Sequence, residues 1–412
     1  MIHVVAADPL FADGVDGAVV LIVLAKTVIT FAFLMVSVLF MIWFERKIHA
    51  DMTNRIGPNR AGPFGILQTL ADGIKVFFKE DLIPGQSDRF VFKLAPYLSL
   101  VPAFVTFAVI PVGGVFGGDG DGTISIFGRE TYLQLADPPI GVLLVLAMSS
   151  VAVYGVMLAG WASGSKYPLL GSVRATAQMV SYEAALGLSV VTVVLVAGSL
   201  TTHDIVLGQD LWRWNLWATG VVPFIIFLIA ATAELNRPPF DLVEAEQELV
   251  AGFHTEYSSV RFALFYLAEF MNTVVMSAII VTLFLGGPNG PVLFGPAWLW
   301  ALFWFFAKLF VLLFMFVSFR ATLPRFRYDQ LMDLGWKLLI PLALGWLMLL
   351  TAVRLASEGT VELVDGNTSA NVAIVMALGV AVMALGSSLL LAAVRAARLE
   401  REHEHEPEGA SR

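Results

Sequence analysis

The stretch Ala233–Ser258, AELNRPPFDLVEAEQELVAGFHTEYS, lies between two long apolar runs, 217–235 and 262–285. It holds six carboxylates, Glu234, Asp241, Glu244, Glu246, Glu248 and Glu256, and one fixed cation, Arg237. Each flanking run is long enough to cross a bilayer as a helix, which takes about 20 residues. The acids therefore crowd beside hydrocarbon, where charge is expensive and marks function. Pro238-Pro239 ends the preceding helix, because proline has no amide donor and restricts the residue before it. Asp241 stands three before Glu244, the spacing of a capping box, so a new helix of about ten residues is expected there. Gly252 can stop it. Glu244 and Glu248 share one face and Glu246 points elsewhere. Like charges four apart repel and raise one another's proton affinity, which suits groups that exchange protons near neutral pH.

Seven further apolar runs, 17–44, 94–113, 140–162, 173–196, 297–319, 336–353 and 372–394, bring the expected spans to nine. Hydrophobic residues are 58% of the 412 and charged residues 14%, against about 25% in soluble domains, so lipid is the main solvent. The fold class expected is an all-α polytopic membrane protein of about nine transmembrane helices. The first run is too long for a cleaved signal, and Asp8, Asp13 and Asp16 precede it. With the N-terminus outside, twenty of the 25 Lys and Arg fall in inner segments and three in outer ones. Positive-inside bias then predicts N-out and C-in.

The chain has no cysteine, which removes disulfides and thiolate-held iron–sulfur clusters. Its six histidines fall outside the nine runs, so no pair of spans offers haem ligands. No cofactor is expected on this chain, and any redox role is borrowed from partners. The net charge of −8 argues against a nucleic-acid partner.

Between the first two spans, 63–80 reads as an amphipathic helix at the inner interface. Ile66, Leu67, Leu70, Ile74, Phe77 and Phe78 form its apolar stripe, with Gln68, Asp72, Lys75 and Lys79 opposite. The outer loop 114–139 reads as a turn followed by a short hairpin, and its Asp-Gly pairs lack full calcium-loop spacing. The tail 397–412 is polar and expected to be disordered.

Five ionisable residues fall within spans or at their edges: Lys26, Glu183, Glu234, Glu269 and Lys308. For Lys26, snorkelling and function stay equally open; for Lys308, in mid-helix, function is favoured. Glu234 closes the fifth span, Glu269 lies about 10 Å into the sixth and Glu183 about 15 Å into the fourth, at 1.5 Å per residue. Carboxylates stepping toward the bilayer centre suit a proton relay. An ordinary alternative is three separate acids hydrogen-bonded to neighbouring helices.

The segments ERK (45–47), RIGPNRAG (55–62), LQTLADGIKVFFKED (67–81), the opening stretch and RATLPRFRYDQLMDLGWK (320–337) together resemble the quinone-site membrane subunit of respiratory complex I, the family of its H subunit, also called subunit 1. The likeness runs in order from about 17 to 353. It implies a subunit of a proton-pumping NADH:quinone oxidoreductase (a translocase), placed between a hydrophilic redox arm and an antiporter-like membrane arm. Carried over by motif, Arg46 and Arg55 would line the mouth of a quinone tunnel, with Arg237 and Asp241 further in. Glu234, Glu244, Glu246 and Glu248 would couple quinone chemistry to Glu269 and Glu183. Arg320, Arg325 and Arg327 would brace a docking surface or the tunnel wall. The substrate implied is ubiquinone or menaquinone, with FMN and iron–sulfur clusters on partner subunits: those of the quinone pocket and terminal cluster, and the small and antiporter-like membrane subunits. The location implied is the bacterial plasma membrane.

The expected organisation is a family core, 1–355, then an outer loop and ninth span, 356–396, beyond the family's eight, then the tail. Two alternatives stay open. One is the related membrane subunit of a hydrogenase or formate-oxidising complex, which works without quinone. The other is a free-standing ion-coupled transporter, against which the lack of an internal repeat counts.

Overall fold

The computed structural model describes residues 8–11, 14–117, 120–210, 213–242, 250–357 and 371–381. Among them, seven helices are long and apolar enough to cross a membrane. Two shorter apolar helices, Val221–Glu234 and Asn371–Ala381, fall where the fifth and ninth spans are expected. The chain is an all-α, multi-pass membrane protein. By contact it divides into two compact units, Met1–Leu331 and Met332–Arg412.

The first unit opens with α1 (Gly17–Met52), capped by the Asp16 carboxylate, which accepts from the Val19 amide at 2.9 Å. This helix runs eight residues past the end of the expected span, so ERKIHADM is helical and His49 sits on a spanning helix after all. The reason is local: no proline or glycine interrupts 45–52, and the chain turns only at Thr53. Next come α2 (Gln68–Phe77), preceded by a single 3-10 turn at Pro63–Gly65, and α3 (Arg89–Ala108). The loop after α3 folds into two small antiparallel pairs, β1 (Phe116–Gly117) with β2 (Gly120–Asp121) and β3 (Thr123–Ile126) with β4 (Arg129–Tyr132). The hairpin expected from the sequence is there.

The centre of this unit is α4 (Gly141–Ala162) and α5 (Lys166–Ala197), joined by a short turn. A Cβ on Gly155 would collide with Ser99 of α3, and one on Gly160 with Ser172 of α5. Only glycine lets α4 approach both neighbours that closely, which is how membrane helices associate in the absence of a hydrophobic drive. After α6 (Thr202–Leu207), the expected fifth span is broken: α7 (Asn215–Ala218) stops at Gly220, and α8 (Val221–Glu234) is 14 residues, about 21 Å, where a bilayer core is about 30 Å. The buried α9 (Ser259–Phe284) and the aromatic-rich α10 (Ala297–Thr322) complete the unit. α3 packs on α4 and α9, α4 on α5, α5 on α8, and α1 on α9 and α10.

In the second unit, the helical run Tyr328–Ser357 (α11), which begins just ahead of it, contains a wide π-helical turn at Leu334–Leu339. The described part of the ninth span, α12 (Asn371–Ala381), sets Gly379 against Leu349.

Lys26 and Lys308 both have partners inside the first unit. Lys26 Nζ bonds Thr131 Oγ1 at 2.5 Å and pairs with Asp8 at 3.2 Å, tying α1 to β4. Lys308 Nζ donates to the carbonyls of Leu285, Gly287 and Asn289 at 2.7, 2.9 and 2.7 Å, and lies 5.2 Å from the Trp214 ring centre. It caps the open end of α9, a structural task that sequence position alone assigns to function. Lys308→Met should leave those carbonyls without a partner and cost about 2–4 kcal/mol of stability. A melting temperature of the purified assembly equal to that of the unaltered one would show that the cap contributes nothing.

Candidate functional site

One end of the first unit gathers charges from four distant segments. Buried positions on α1 run Leu34, Val38, Met41 and then Glu45, so Glu45 continues the stripe that faces the bundle. Its carboxylate takes Arg237 Nη1 on Oε2 and Arg320 Nη1 on Oε1. Glu45 is 4% exposed at its side chain, Arg237 6% and Arg320 49%. Arg237 reaches further, with Nε 3.3 Å from Glu269 Oε1 and the guanidinium 4.5 Å from the Phe270 ring centre. Burial works against its charge, but Glu45 and Glu269 outweigh that and raise its pKa above the ordinary arginine value. Arg237 is therefore a fixed buried cation between two acids.

The turn that carries Arg237 is held from α5. Gln178 Nε2 donates to the carbonyls of Ala233 at 2.7 Å and Phe240 at 3.0 Å, and to Asn236 Oδ1 at 3.0 Å. Asp241 pairs with Arg325 at 2.9 Å. Arg327 is exposed, and its backbone amide donates to Gln330.

Above the ion cluster lies a cavity of about 360 Å³ lined by Glu45, Arg46, His49, Arg55, Tyr266, Phe270 and Arg320 among others. It shares Ile42, Arg46, Pro58 and Tyr266 with an adjoining groove of about 880 Å³ between α1, α2 and α9. The groove is mostly apolar, with Met35, Val38, Leu39, Phe77, Leu264 and Leu267 on its walls. Arg46 bridges to Asp72 of α2 at 2.5 Å, and Trp43 Nε1 donates to the Phe64 carbonyl at 2.9 Å, so α2 and its lead-in are tied to α1 at the groove rim. An apolar groove opening into a cationic cavity accepts a molecule with a long apolar tail and a polar head.

Below the ion cluster the acids continue inward. Glu269, His254, Tyr266, Asn236, Asn272 and Glu234 line one small cavity. Burial pushes His254 down to about 4, so it is neutral at pH 7. A second cavity shares Glu234, Asn272 and Met179 with the first and adds Ser149. Glu183 interacts electrostatically with Glu234, and its Oε1 accepts a hydrogen bond from Ser150 of α4. α5 starts at Lys166, so Glu183 lies 17 residues into a 32-residue helix, close to its middle.

Of the residues singled out from sequence, Arg46, Arg55 and Arg320 meet on one cavity, and Arg237 sits beneath it. Glu269, Glu234 and Glu183 form a row, while Asp241 and Arg325 pair beside it. Glu244, Glu246 and Glu248, with the helix expected there, lie outside the described residues. Four contributors were missed: Glu45, His254, Tyr266 and Asn272. Only Glu45 left a signal, as an acid in register with the buried stripe of α1.

The sequence from 25 to 351 matches the family model described as NADH dehydrogenase. Two curated relatives from Frankia, F. casuarinae and F. alni, are 51% and 53% identical over 86% and 81% of this chain and 77% and 73% of their own length. One from Streptomyces avermitilis is 49% identical over 84% of the chain and 76% of the relative. All three are described as the H subunit of NADH-quinone oxidoreductase. The chain belongs to that family. Membership makes it a membrane subunit of an oxidoreductase assembly, complex I, and so a chain with partner subunits. The motifs that carry the family likeness all lie in the first unit or at the start of α11, and the 25–351 match stops before α12.

Removing Glu45 leaves two arginines without their shared acid, one of them buried. Glu45→Ala should destabilise the assembly by about 3–5 kcal/mol, the range for a broken buried pair. Arg320→Ala should cost clearly less, because half of Arg320 is in solvent. Equal melting shifts for the two variants would contradict this ranking.

Proposed function

We propose that this subunit forms the membrane wall of a quinone access path and couples quinone reduction to proton translocation through its carboxylates. The observation that carries the proposal is the continuity of three features. An apolar groove leads to a cationic cavity, the cavity rests on the Glu45–Arg237–Glu269 cluster, and the cluster borders the row that ends at Glu183. The groove takes the isoprenoid tail of ubiquinone or menaquinone. Arg46, Arg55 and Arg320 face the headgroup cavity. α1 is set with its N-terminus outside, which places the cavity on the inner side, where the Lys and Arg excess lies. There it faces the partner subunits that carry the terminal iron–sulfur cluster and the quinone pocket, with FMN further along the hydrophilic arm. Arg325 and Arg327, exposed on the same side, brace that docking surface. In this reading Glu244, Glu246 and Glu248 take part in coupling quinone chemistry to the row, and Asp241 belongs to the quinone path. Small and antiporter-like membrane subunits receive the coupling sideways in the bacterial plasma membrane.

Mechanistically, reduction of a quinone consumes protons and changes the charge in the cavity. Glu45 and Arg237 are held by one another and remain charged, so they transmit the change as a field. Glu269, Glu234 and Glu183 answer by exchanging protons, with Tyr266, Asn272, Ser149 and Ser150 as hydrogen-bonding neighbours. A quinone-free hydrogenase-type role has no use for the tail groove, and membership of an oxidoreductase subunit family leaves no room for a free-standing transporter.

Glu183→Gln removes the last acid of the row while keeping its shape, and should lower protons moved per NADH in reconstituted vesicles; full pumping in a normally assembled complex would end the relay. Arg55→Ala should raise the quinone concentration for half-maximal rate about tenfold, the equivalent of one charge-assisted hydrogen bond. Unaltered quinone dependence would take Arg55 out of the path.

A further inference from the structure

Glu234 faces a second cavity that runs away from the quinone side. This slot lies between α4, α5, α8 and α9, and along α5 its lining extends from Met179 to Val190, along α9 from Asn272 to Leu283. Each stretch is twelve residues, so its ends are eleven steps apart, about 16 Å at 1.5 Å per residue. One end carries Glu234, Ser149 and Asn272, and the other carries Thr106 and Thr202. Between them the walls are apolar, with Leu186, Val190, Phe227, Val275 and Ile279. The slot holds about 60 Å³, enough for a few waters in file.

At the far end the lining meets a buried polar chain. Thr202 Oγ1 donates to the Val109 carbonyl at 2.5 Å and accepts from Gln134 Nε2 at 3.0 Å. Gln134, 4% exposed, also directs Nε2 at Asp137 Oδ1, 3.2 Å away. Asp137 lies in the loop before α4, partly open to solvent on the side of the β-hairpins and the start of α1. Burial, reinforced by Asp204 and only partly opposed by Gln134, pushes its carboxyl up to about 6.

We propose that the slot is an outlet by which a proton leaves Glu234 for the outer face, with Asp137 as the group that takes it up and releases it. The inference rests on the proposed orientation and carboxylate row, and adds a route out of the subunit. Apolar walls of this bore keep water out at rest, so the path is closed unless the helices part slightly; hydrophobic constrictions gate by this wetting and dewetting. When water enters, Glu234 gives its proton to the file and becomes carboxylate. The excess proton leaves the file at its Thr202 end, and water admitted with the file carries it past Gln134 to the Asp137 carboxylate. The Thr202 hydroxyl, which donates to the Val109 carbonyl, orders that end of the file without relaying the proton. Asp137 then loses it to outer solvent, and Glu234 regains one from the row on the inner side. Gln134 moves no proton; its amide joins Thr202, at the end of the slot, to the Asp137 carboxylate and fixes where that carboxylate stands.

The test uses the whole complex in sealed vesicles. Asp137→Asn should lower the protons moved per NADH oxidised, with Asp137→Glu restoring them. Val190→Ser, a polar group placed in the dry section, should make a pH gradient decay faster without turnover. Normal proton stoichiometry in Asp137→Asn overturns the outlet, whatever Val190→Ser does. Should Asp137→Asn fail to assemble, Val190→Ser decides alone: leaky membranes support the outlet and tight ones overturn it. Loss of pumping in Glu183→Gln alongside a normal Asp137→Asn would leave the coupling row standing and remove only this exit.

Discussion

The buried contact between Glu45 and Arg237 holds the functional end of this molecule together. It joins the end of α1 to the turn after α8, and Arg320 and Glu269 extend it to α10 and α9. A buried ion pair adds little to stability compared with well-packed apolar residues, so its presence asks for another explanation. What it supplies is place: four segments far apart in the chain must converge before either charge is satisfied. The cationic cavity has this cluster as its floor, and the acid row has it as its nearest charged neighbour.

That arrangement makes the site sensitive to charge without making it labile. Two unit charges about 8 Å apart interact by about 2 kcal/mol at an effective dielectric of 20. Such a change moves a proton equilibrium more than tenfold. Glu45 and Arg237 are paired with one another, whereas buried Glu234 has another acid, Glu183, as its neighbour. In the proposed function, the first pair fixes the field and the row responds to it. The glycines of α4 serve the same end, because they let α4 lie close against α3 and α5 beside the small cavities that Glu234 lines.

The broken fifth span illustrates how position and function meet. α8 is too short to cross a bilayer alone, and its last residue is Glu234. The chain then turns through Asn236, Arg237 and the prolines, with Gln178 holding the turn from α5. An acid and a cation are thereby delivered to the bundle interior from backbone that lies inside protein, where irregular chain is tolerated at membrane depth.

Much of this was legible in the residues alone. Apolar runs located seven long helices and two short ones, the Asp-Gly-rich loop announced its hairpin, and the order of the loop motifs carried the family. These are properties of neighbours along the chain, since hydropathy, proline and glycine act within a few residues of where they occur. The partners of Glu45 are 192 and 275 residues away, and Lys308 finds its carbonyls 19 to 23 residues back across a turn. Nothing local distinguishes a lysine that caps a helix from one that moves an ion, or an acid in a motif from the acid on which a cluster is built. Those roles were settled only by the tertiary structure, because the energy of a buried charge depends on what surrounds it in space, and the bundle decides that.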